Sequence, residues 1–280
     1  MKVERNDILL VGLPESGKTT FLAALWHLLV SKKIPTALSL GSLPHSREYL
    51  NGISGKWGRF FQIDHTPTEE FKEISLQLKD SEVELELNVP DMSGETWSSI
   101  WTTRTCAKKI VKLSQASTGL MLFLHAGKIR PSIDIGTNNA MIEALGGVPS
   151  DSNVTPWSPE KTPIQVVLVD ILQTLAMAPL GNVERRLAVN ISAWDKAVEL
   201  GISPPEFLKK YCPLLHQFLN FGGRFSAVKV FGISAQGGDL HSVEDAKRIK
   251  AEDVPSKRIL VIDQERTHHD LTEPIKWVIG

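Results

Sequence analysis

The sequence contains few features that identify a class of function directly. Its 280 residues include only two cysteines, Cys106 and Cys212, and neither belongs to a Cys-x-x-Cys pair. A disulfide framework is therefore excluded, and the simplest interpretation is two buried thiols in a reducing cytosol. The first residues run directly into a predicted strand and leave no room for a signal peptide, so we expect a cytoplasmic protein.

Net charge and long apolar runs are also lacking. The 31 Lys and Arg residues nearly balance the 32 Asp and Glu residues, so no overall field favours nucleic acid or an acidic membrane surface, and any partner must be recognised locally. The longest apolar stretch, residues 163–180, is interrupted by Gln165, Asp170 and Gln173. This pattern favours a buried helix over a membrane span.

What the chain does contain is a complete phosphate-binding loop. Residues 12–19 read Gly-Leu-Pro-Glu-Ser-Gly-Lys-Thr, directly after the apolar run of residues 8–11. The two glycines let the backbone wrap closely round a phosphate, Lys18 can neutralise the β and γ oxygens, and the Thr19 hydroxyl can bind Mg²⁺. Glu15 adds a negative charge, and we expect its side chain to point away from the phosphates. The loop predicts a nucleoside triphosphate site without specifying the base.

The hydrophobic pattern predicts an α/β fold. Two alternating segments, residues 73–79 and 82–89, predict a β-hairpin. Short apolar runs typical of central parallel strands occupy residues 8–11, 119–124, 187–191 and 227–233. Helical patterns cover residues 19–30, 97–114, 163–178, 205–220 and 271–278. We therefore predict a three-layer P-loop NTPase sandwich whose six-stranded, mostly parallel sheet carries one antiparallel strand and binds its ligand at the strand C-termini.

Two stretches do not follow this alternation. Residues 31–65 show no clear periodicity and predict a long excursion before the hairpin. Half of the 36 positions in residues 127–162 are Gly, Pro, Ser, Thr or Asn, which predicts an inserted loop within a single domain spanning residues 1–280. The insertion is either a lid or partner-binding element or a tolerated surface loop.

Three further motifs follow predicted strands. Asp91 and Gly94 form an Asp-x-x-Gly at the end of the hairpin, where an Asp can hold Mg²⁺ through water and the Gly N–H can bond a γ-phosphate. Asp195 follows the strand of residues 187–191, and its carboxylate can accept the N1–H and N2–H₂ donors of guanine, which adenine does not offer. Ser234 and Ala235 end the last apolar strand, and backbone N–H groups there can bind the guanine O6. As alternatives, the last two motifs are a helix N-cap and a turn.

In this order, the four motifs resemble those of Ras-like and translation-factor-like GTPases. The Ser-Ala-Trp-Asp form of the third motif, with the long excursion before the hairpin, is most similar to the bacterial double-GTPase family. The resemblance spans residues 8–277 and implies a Mg²⁺-dependent switch that hydrolyses GTP to GDP and phosphate. In that family two GTPase proteins or domains are thought to work as a pair, with roles in conflicts such as defence against phage. It therefore implies a second GTPase, an effector or a homodimer as partner.

The resemblance also assigns roles to individual residues. The nucleotide-binding residues would be Gly12, Pro14, Glu15, Ser16, Gly17, Lys18, Thr19, Thr20, Trp194, Asp195, Ser234 and Ala235. The Mg²⁺ ligands would be Thr19, Asp91 and a switch threonine, Thr66, with Thr68 as the alternative. The catalytic residues would be Lys18, Thr66, Gly94 and Glu95.

Three departures from the family pattern affect these assignments. Ser192 and Ala193 replace an Asn-Lys pair, so the lysine that stacks on the base is absent, and Trp194 or a residue elsewhere would cover the base. Glu95 replaces the Gln that orients the attacking water, and Pro14 replaces a Gly. We therefore expect slow hydrolysis that requires a partner. The alternatives are a nucleotide-gated binding module with little turnover and, third, a P-loop kinase.

Overall fold

A computed structural model of the chain describes residues 4–44, 46–63, 72–80, 84–129, 135–148, 158–181, 184–264 and 266–280. The strands within these ranges are β1 (Glu4–Val11), β2 (Ser39–Ser42), β3 (Lys72–Lys79), β4 (Glu84–Asp91), β5 (Gly119–His125), β6 (Arg186–Ser192), β7 (Ala227–Ser234), β8 (Leu260–Ile262) and β9 (Thr267–His268). They form one sheet in the order β2-β3-β4-β1-β5-β6-β7-β8-β9.

The centre of this sheet is parallel. Strands β4, β1, β5, β6 and β7 run in the same direction, and β3 and β4 form the predicted antiparallel hairpin. The predicted mixed α/β sheet is therefore confirmed. The predicted number of six strands with one antiparallel strand is wrong, because β2 pairs antiparallel with β3, β8 with β7, and β9 with β8. These additional strands are only two to four residues long, too short to show a two-residue alternation.

The α-helices of the described ranges are α1 (Lys18–Ser31), α2 (Arg47–Gly58), α3 (Gly94–Thr103), α4 (Lys108–Ala116), α5 (Ile135–Ala144), α6 (Ile164–Ala176), α7 (Pro204–Tyr211), α8 (Pro213–Phe221), α9 (Val243–Lys250) and α10 (Thr272–Ile279). Three of the predicted helical segments coincide with α1, α6 and α10. Each of the other two is divided in the structure. Arg104 adopts a left-handed conformation (φ 56°) that ends α3, and Pro213 disfavours helical geometry at Cys212, which separates α7 from α8.

Helix α2 lies in the segment for which the sequence predicted only an excursion. Leu50, Ile53 and Trp57 form its buried side, at helical spacing. Three glycines in its twelve residues lower the helical propensity and obscure this pattern. The insertion likewise contains a helix, α5, where we expected a loop, while residues 130–134 and 149–157 lie outside the described residues.

Helices cover both faces of the sheet. One hydrophobic cluster joins α1, α2 and α10 to the sheet around Phe21, Trp57 and Phe123. The other joins α3, α6 and α7 to the opposite face and includes Trp97 and Trp194. This gives the layered arrangement that a doubly wound sheet requires. No helix in the described ranges is long and apolar enough to cross a membrane.

The two cysteines are free thiols in different environments. Cys212 is buried, and burial raises its pKa to about 12, so it is inert at neutral pH. Cys106 is partly exposed, and burial of part of its side chain raises its pKa. The prediction of two buried thiols is therefore correct for Cys212 alone.

A buried carboxylate connects the C-terminal helix to the segment after α1. Asp270 accepts hydrogen bonds from the backbone N–H of Ala37 (2.6 Å) and from the N–H and hydroxyl of Thr272 (2.8 and 2.7 Å). Asp270 is only 8% exposed and Thr272 is fully buried. The side chain thus accepts the first N–H of α10 and joins two distant segments.

We expect Asp270→Ala to lower the free energy of unfolding by about 2 kcal/mol, because the variant leaves buried donors without their acceptor. Urea unfolding followed by circular dichroism measures this change. Asp253→Ala removes an exposed carboxylate and serves as the control, with an expected change within about 0.5 kcal/mol. Equal losses in the two variants would contradict the role given to Asp270.

Candidate functional site

The phosphate loop connects β1 to α1 through positions that admit only glycine. Gly17 has a φ of 93°, and a Cβ there would lie 2.9 Å from the Ser192 side chain. A Cβ on Gly12 would lie 2.5 Å from Ser16 Oγ and 2.7 Å from the carbonyl oxygen of Phe123. The loop is therefore packed directly on the ends of β5 and β6, and its path is fixed by close backbone contact.

Lys18 is the first residue of α1 and belongs to the wall of the loop. Its side chain is buried, with a relative exposure of 6%. The ammonium donates hydrogen bonds to the carbonyl oxygens of Gly12 (2.7 Å) and Leu13 (3.3 Å) and to Ser16 Oγ (3.2 Å). The positive charge is thus held at the centre of the loop, where an anion would bind.

Glu15 forms an ion pair with Lys128, which lies just after β5. This contact neutralises the charge that a carboxylate adds to an anion-binding loop. Both side chains are about half exposed, so the pair adds little stability. Lys128 was not among the predicted site residues.

Gly94, at the start of α3, lies against the phosphate loop. A Cβ there would lie 2.2 Å from the backbone nitrogen of Pro14 and 2.4 Å from the carbonyl carbon of Leu13. The Asp-x-x-Gly segment and the loop are thus in backbone contact with no space for a side chain. The backbone of Asp91 ends β4, whereas Thr66 and Thr68, the predicted switch threonines, lie outside the described residues.

Two serines at strand ends form hydrogen bonds with the predicted motifs, one with the phosphate loop and the other with Asp195. Ser192 donates a hydrogen bond to the carbonyl oxygen of Ser16 (2.7 Å), so the residue that replaces the family's asparagine joins β6 to the phosphate loop. Ser234 donates to the Asp195 carboxylate and accepts a hydrogen bond from Gly237 N–H (3.1 Å). The Asp195 carboxylate is therefore held by the loop after β7.

Trp194 does not lie where we expected a residue that covers the base. Its ring is buried, with 1% exposure. A Cβ on Gly232 of β7 would lie 2.5 Å from this ring, and Phe207 packs edge-on at a centroid distance of 5.4 Å. The left-handed conformation of Ala193 (φ 51°) turns the chain so that Trp194 enters the core while Asp195 lines the cavity. Trp194 thus fixes the turn and is not among the residues that line the cavity.

Further charged groups surround Asp195. Lys196 donates a hydrogen bond to Asp239 (2.7 Å), and this bond holds the pKa of Asp239 below its ordinary value. Burial, reinforced by the charge of Lys196, lowers the pKa of His125, which is therefore neutral at pH 7 and accepts a hydrogen bond from Gly127 N–H (3.1 Å). Of Lys196, Asp239 and His125, the sequence pointed only to Lys196 as a site residue, because it follows Asp195 directly.

These elements enclose one cavity of about 540 Å³, within the range of cofactor and small-molecule sites. The predicted residues that line it are Pro14, Glu15, Ser16, Gly17, Lys18, Thr19, Thr20, Gly94, Glu95, Asp195, Ser234 and Ala235. Gly12 contributes through its hydrogen bond with Lys18. Lining residues that sequence reasoning missed include Phe61, Gln62, Lys128, Lys196, Asp239 and His241.

The residues around the phosphate loop are compatible with Mg²⁺ held mainly by nucleotide phosphates. Within the described residues, no group of three or more His, Cys, Asp or Glu side chains could hold a metal ion. Thr19, in the first turn of α1, is one of the residues that line the cavity. Mg²⁺ commonly retains several waters and uses only one or two protein ligands beside phosphate oxygens.

Comparison with known proteins identifies the family. The family profile described as Double-GTPase 1 matches residues 9–278. The chain belongs to the Double-GTPase 1 family. This confirms the resemblance that the four motifs indicated, and no curated protein matches the chain.

Solved structures also include chains similar to this one. The Arl6 (BBS3) small GTPase from Trypanosoma brucei, with the bound nucleotide analogue GppNp, shares 12% identity, with a TM-score of 0.36, over 89% of this chain and 96% of its own. Sup35 complexed with GMPPNP shares 12% identity, with a TM-score of 0.39, over 85% of this chain and 39% of its own. The chain therefore spans less than half of Sup35.

We expect Gly94→Ala to weaken nucleotide binding by about tenfold or more, because the added methyl group would displace the backbone of the phosphate loop. Isothermal titration calorimetry with GDP measures the change. The control is Gly55→Ala in α2, where an added Cβ meets no atom within 4 Å. Wild-type affinity in Gly94→Ala would show that the two segments can separate freely.

Proposed function

We propose that this chain is a GTP-binding switch protein that hydrolyses GTP to GDP and phosphate. The observation that carries the proposal is the single cavity that contains the phosphate loop at one end and the Asp195 carboxylate at the other. Membership of a GTPase family supports the same conclusion. The whole chain, residues 1–280, would act as one domain.

Selection of guanine would depend on Asp195. A carboxylate only accepts hydrogen bonds when ionised, and guanine offers two adjacent donors, N1–H and N2–H₂. Ser234 donates one hydrogen bond to this carboxylate, so a base that lacked the two donors would leave its remaining acceptor sites desolvated and unsatisfied. Such an unpaired polar group is costly, which makes the site selective.

The phosphates would bind at the opposite end, where Lys18 and the N-terminus of α1 meet. Lys18 would exchange its carbonyl acceptors for the β and γ oxygens, and the Thr19 hydroxyl would bind Mg²⁺. We assign Asp91 and Thr66 as the further Mg²⁺ groups, with Thr68 as the alternative. When bound, Mg²⁺ would neutralise charge on the phosphates.

The contact between Gly94 and Pro14 supports a switch. The Gly94 N–H lies at the start of α3, beside the loop that would hold the γ-phosphate. Loss of this phosphate would remove one acceptor from that N–H and release the segment. Coupling between hydrolysis and the position of α3 would follow.

A second candidate is a nucleotide-gated binding module with negligible turnover. Glu95 lines the cavity at the position where a neutral Gln would orient water, and its negative charge opposes that of the phosphates. We therefore expect slow hydrolysis by the isolated chain.

The partner that we propose is a second GTPase or another copy of this chain. The name of the family is consistent with such a pair. The setting that we propose is the cytoplasm of a bacterium, in defence against phage.

A single-turnover assay tests this function. We expect the protein with Mg²⁺ to bind GTP in preference to ATP and to release phosphate from GTP slowly. Lys18→Ala should abolish binding, because it removes the buried cation of the loop. Tight GTP binding without phosphate release, with and without added partner, would favour the binding module. Equal competition by ATP and GTP would contradict the proposal.

A further inference from the structure

A buried hydrogen bond joins α2 to the loop that follows β7. The indole Nε1–H of Trp57 donates to the carbonyl oxygen of Ala235 at 2.9 Å. Trp57 is fully buried and is not among the residues that line the cavity, whereas Ala235 and Gln236 line it. A buried side chain therefore fixes the backbone at Ala235, at the end of the cavity where we propose that the base binds.

Fixing one carbonyl group also fixes the next N–H group. A trans peptide is planar, so the Ala235 carbonyl and the Gln236 N–H point in opposite directions. With the carbonyl directed at Trp57, the Gln236 N–H is directed away from it. A second carbonyl of the loop, that of Gly237, accepts a hydrogen bond from Arg248 of α9 at 2.9 Å. Side chains from two helices thus hold the carbonyl oxygens of the loop.

Trp57 is itself held rigidly. The guanidinium of Arg258 lies 3.8 Å from the centroid of its ring and donates a hydrogen bond to its carbonyl oxygen. The imidazole of His27 also packs on the ring, at a centroid distance of 4.7 Å. Arg258 also packs against the loop that follows β7, residues 235–238, which we call the base loop. A Cβ on Gly237 would lie 2.7 Å from the Arg258 carbonyl oxygen.

We propose that Trp57 is a positioning residue for guanine recognition. Its indole N–H holds the Ala235 carbonyl so that the N–H of the same peptide, that of Gln236, faces the guanine O6. This inference rests on the proposed function, since it requires a guanine at this end of the cavity. It adds the group that positions the contact to O6, which is separate from the contact between Asp195 and the N1–H and N2–H₂ donors of the base.

The position of Trp57 also gives α2 a role. The helix ends at Gly58, and Phe61, Gln62 and Ile63 line the same cavity. One indole group thus connects the segment before the hairpin to the base loop. Base recognition would depend on the C-terminal end of this helix, where Trp57 lies, and not on the contact of its N-terminal half with α1.

Trp57→Phe tests the proposal, because phenylalanine keeps an aromatic ring and removes the donor. The probes are GDP, IDP, which lacks the 2-amino group but keeps O6 and N1–H, and 2-aminopurine riboside diphosphate, which lacks O6 and with it the N1–H. The third probe can therefore contact Asp195 only through its 2-amino group, and the comparison is between wild type and variant for each probe. We expect GDP and IDP to bind about fivefold to tenfold more weakly than to the wild type. Binding of the 2-aminopurine nucleotide should not change. Titration calorimetry measures all three ligands.

The matched control is Trp26→Phe. The Trp26 indole donates to Asn51 Oδ1 at 2.8 Å, so this variant removes a comparable bond between α1 and α2 without contact with the base loop. We expect it to bind all three ligands as the wild type does. Arg258→Lys is a second variant that loosens Trp57 while retaining a positive charge, and it should show the same ligand pattern with a smaller factor.

The outcomes separate this inference from the proposed function. If the wild type binds ADP as tightly as GDP, both are wrong. If the wild type selects guanine and folded Trp57→Phe or Arg258→Lys binds GDP normally, the inference alone is wrong. Equal weakening of all three ligands in Trp57→Phe would indicate a general structural effect and would also overturn it.

Discussion

The arrangement of the site depends on the lack of space around the phosphate loop. Gly12 and Gly17 pack against the ends of β5 and β6, and Gly94 packs against the backbone of Pro14. Each contact is so close that a methyl group would displace backbone or side-chain atoms. The loop, the strand ends and the start of α3 therefore form one unit, and a change in one must be transmitted to the others.

Polar contacts hold a cation, Lys18, at one end of this unit and a carboxylate, Asp195, at the other. Lys18 concentrates positive charge inside the loop, while Ser192 links the loop to the turn that carries Asp195. Trp194 fixes that turn by entering the core. The distance between the cation and the carboxylate is thus set by the parallel strands, which explains why the two groups face one cavity.

Local sequence patterns predicted the parts of the site that depend on residues close in sequence. The phosphate loop and the Asp-x-x-Gly are short motifs, and the strands before them show a clear apolar run in β1 and a clear alternation in β4. Trp57 could not be assigned in this way, because its acceptor, Ala235, is 178 positions away and glycines obscure the pattern of α2. Lys128 was missed for the same reason, since only the fold brings it to Glu15. Trp194 was misplaced because the left-handed conformation of Ala193 reverses the direction in which its side chain points.

The central claim is that the Asp195 carboxylate accepts hydrogen bonds from the N1–H and N2–H₂ groups of guanine. The most direct test replaces one oxygen of this carboxylate with a hydrogen-bond donor. Asn in place of Asp195 offers an N–H₂ group that can bond the additional carbonyl of xanthine. Competition binding of xanthosine and guanosine diphosphates measures the preference of each protein. Asp195→Asn should prefer the xanthosine nucleotide, whereas the wild type should prefer the guanosine nucleotide. An unchanged preference for guanosine in the variant would contradict the account.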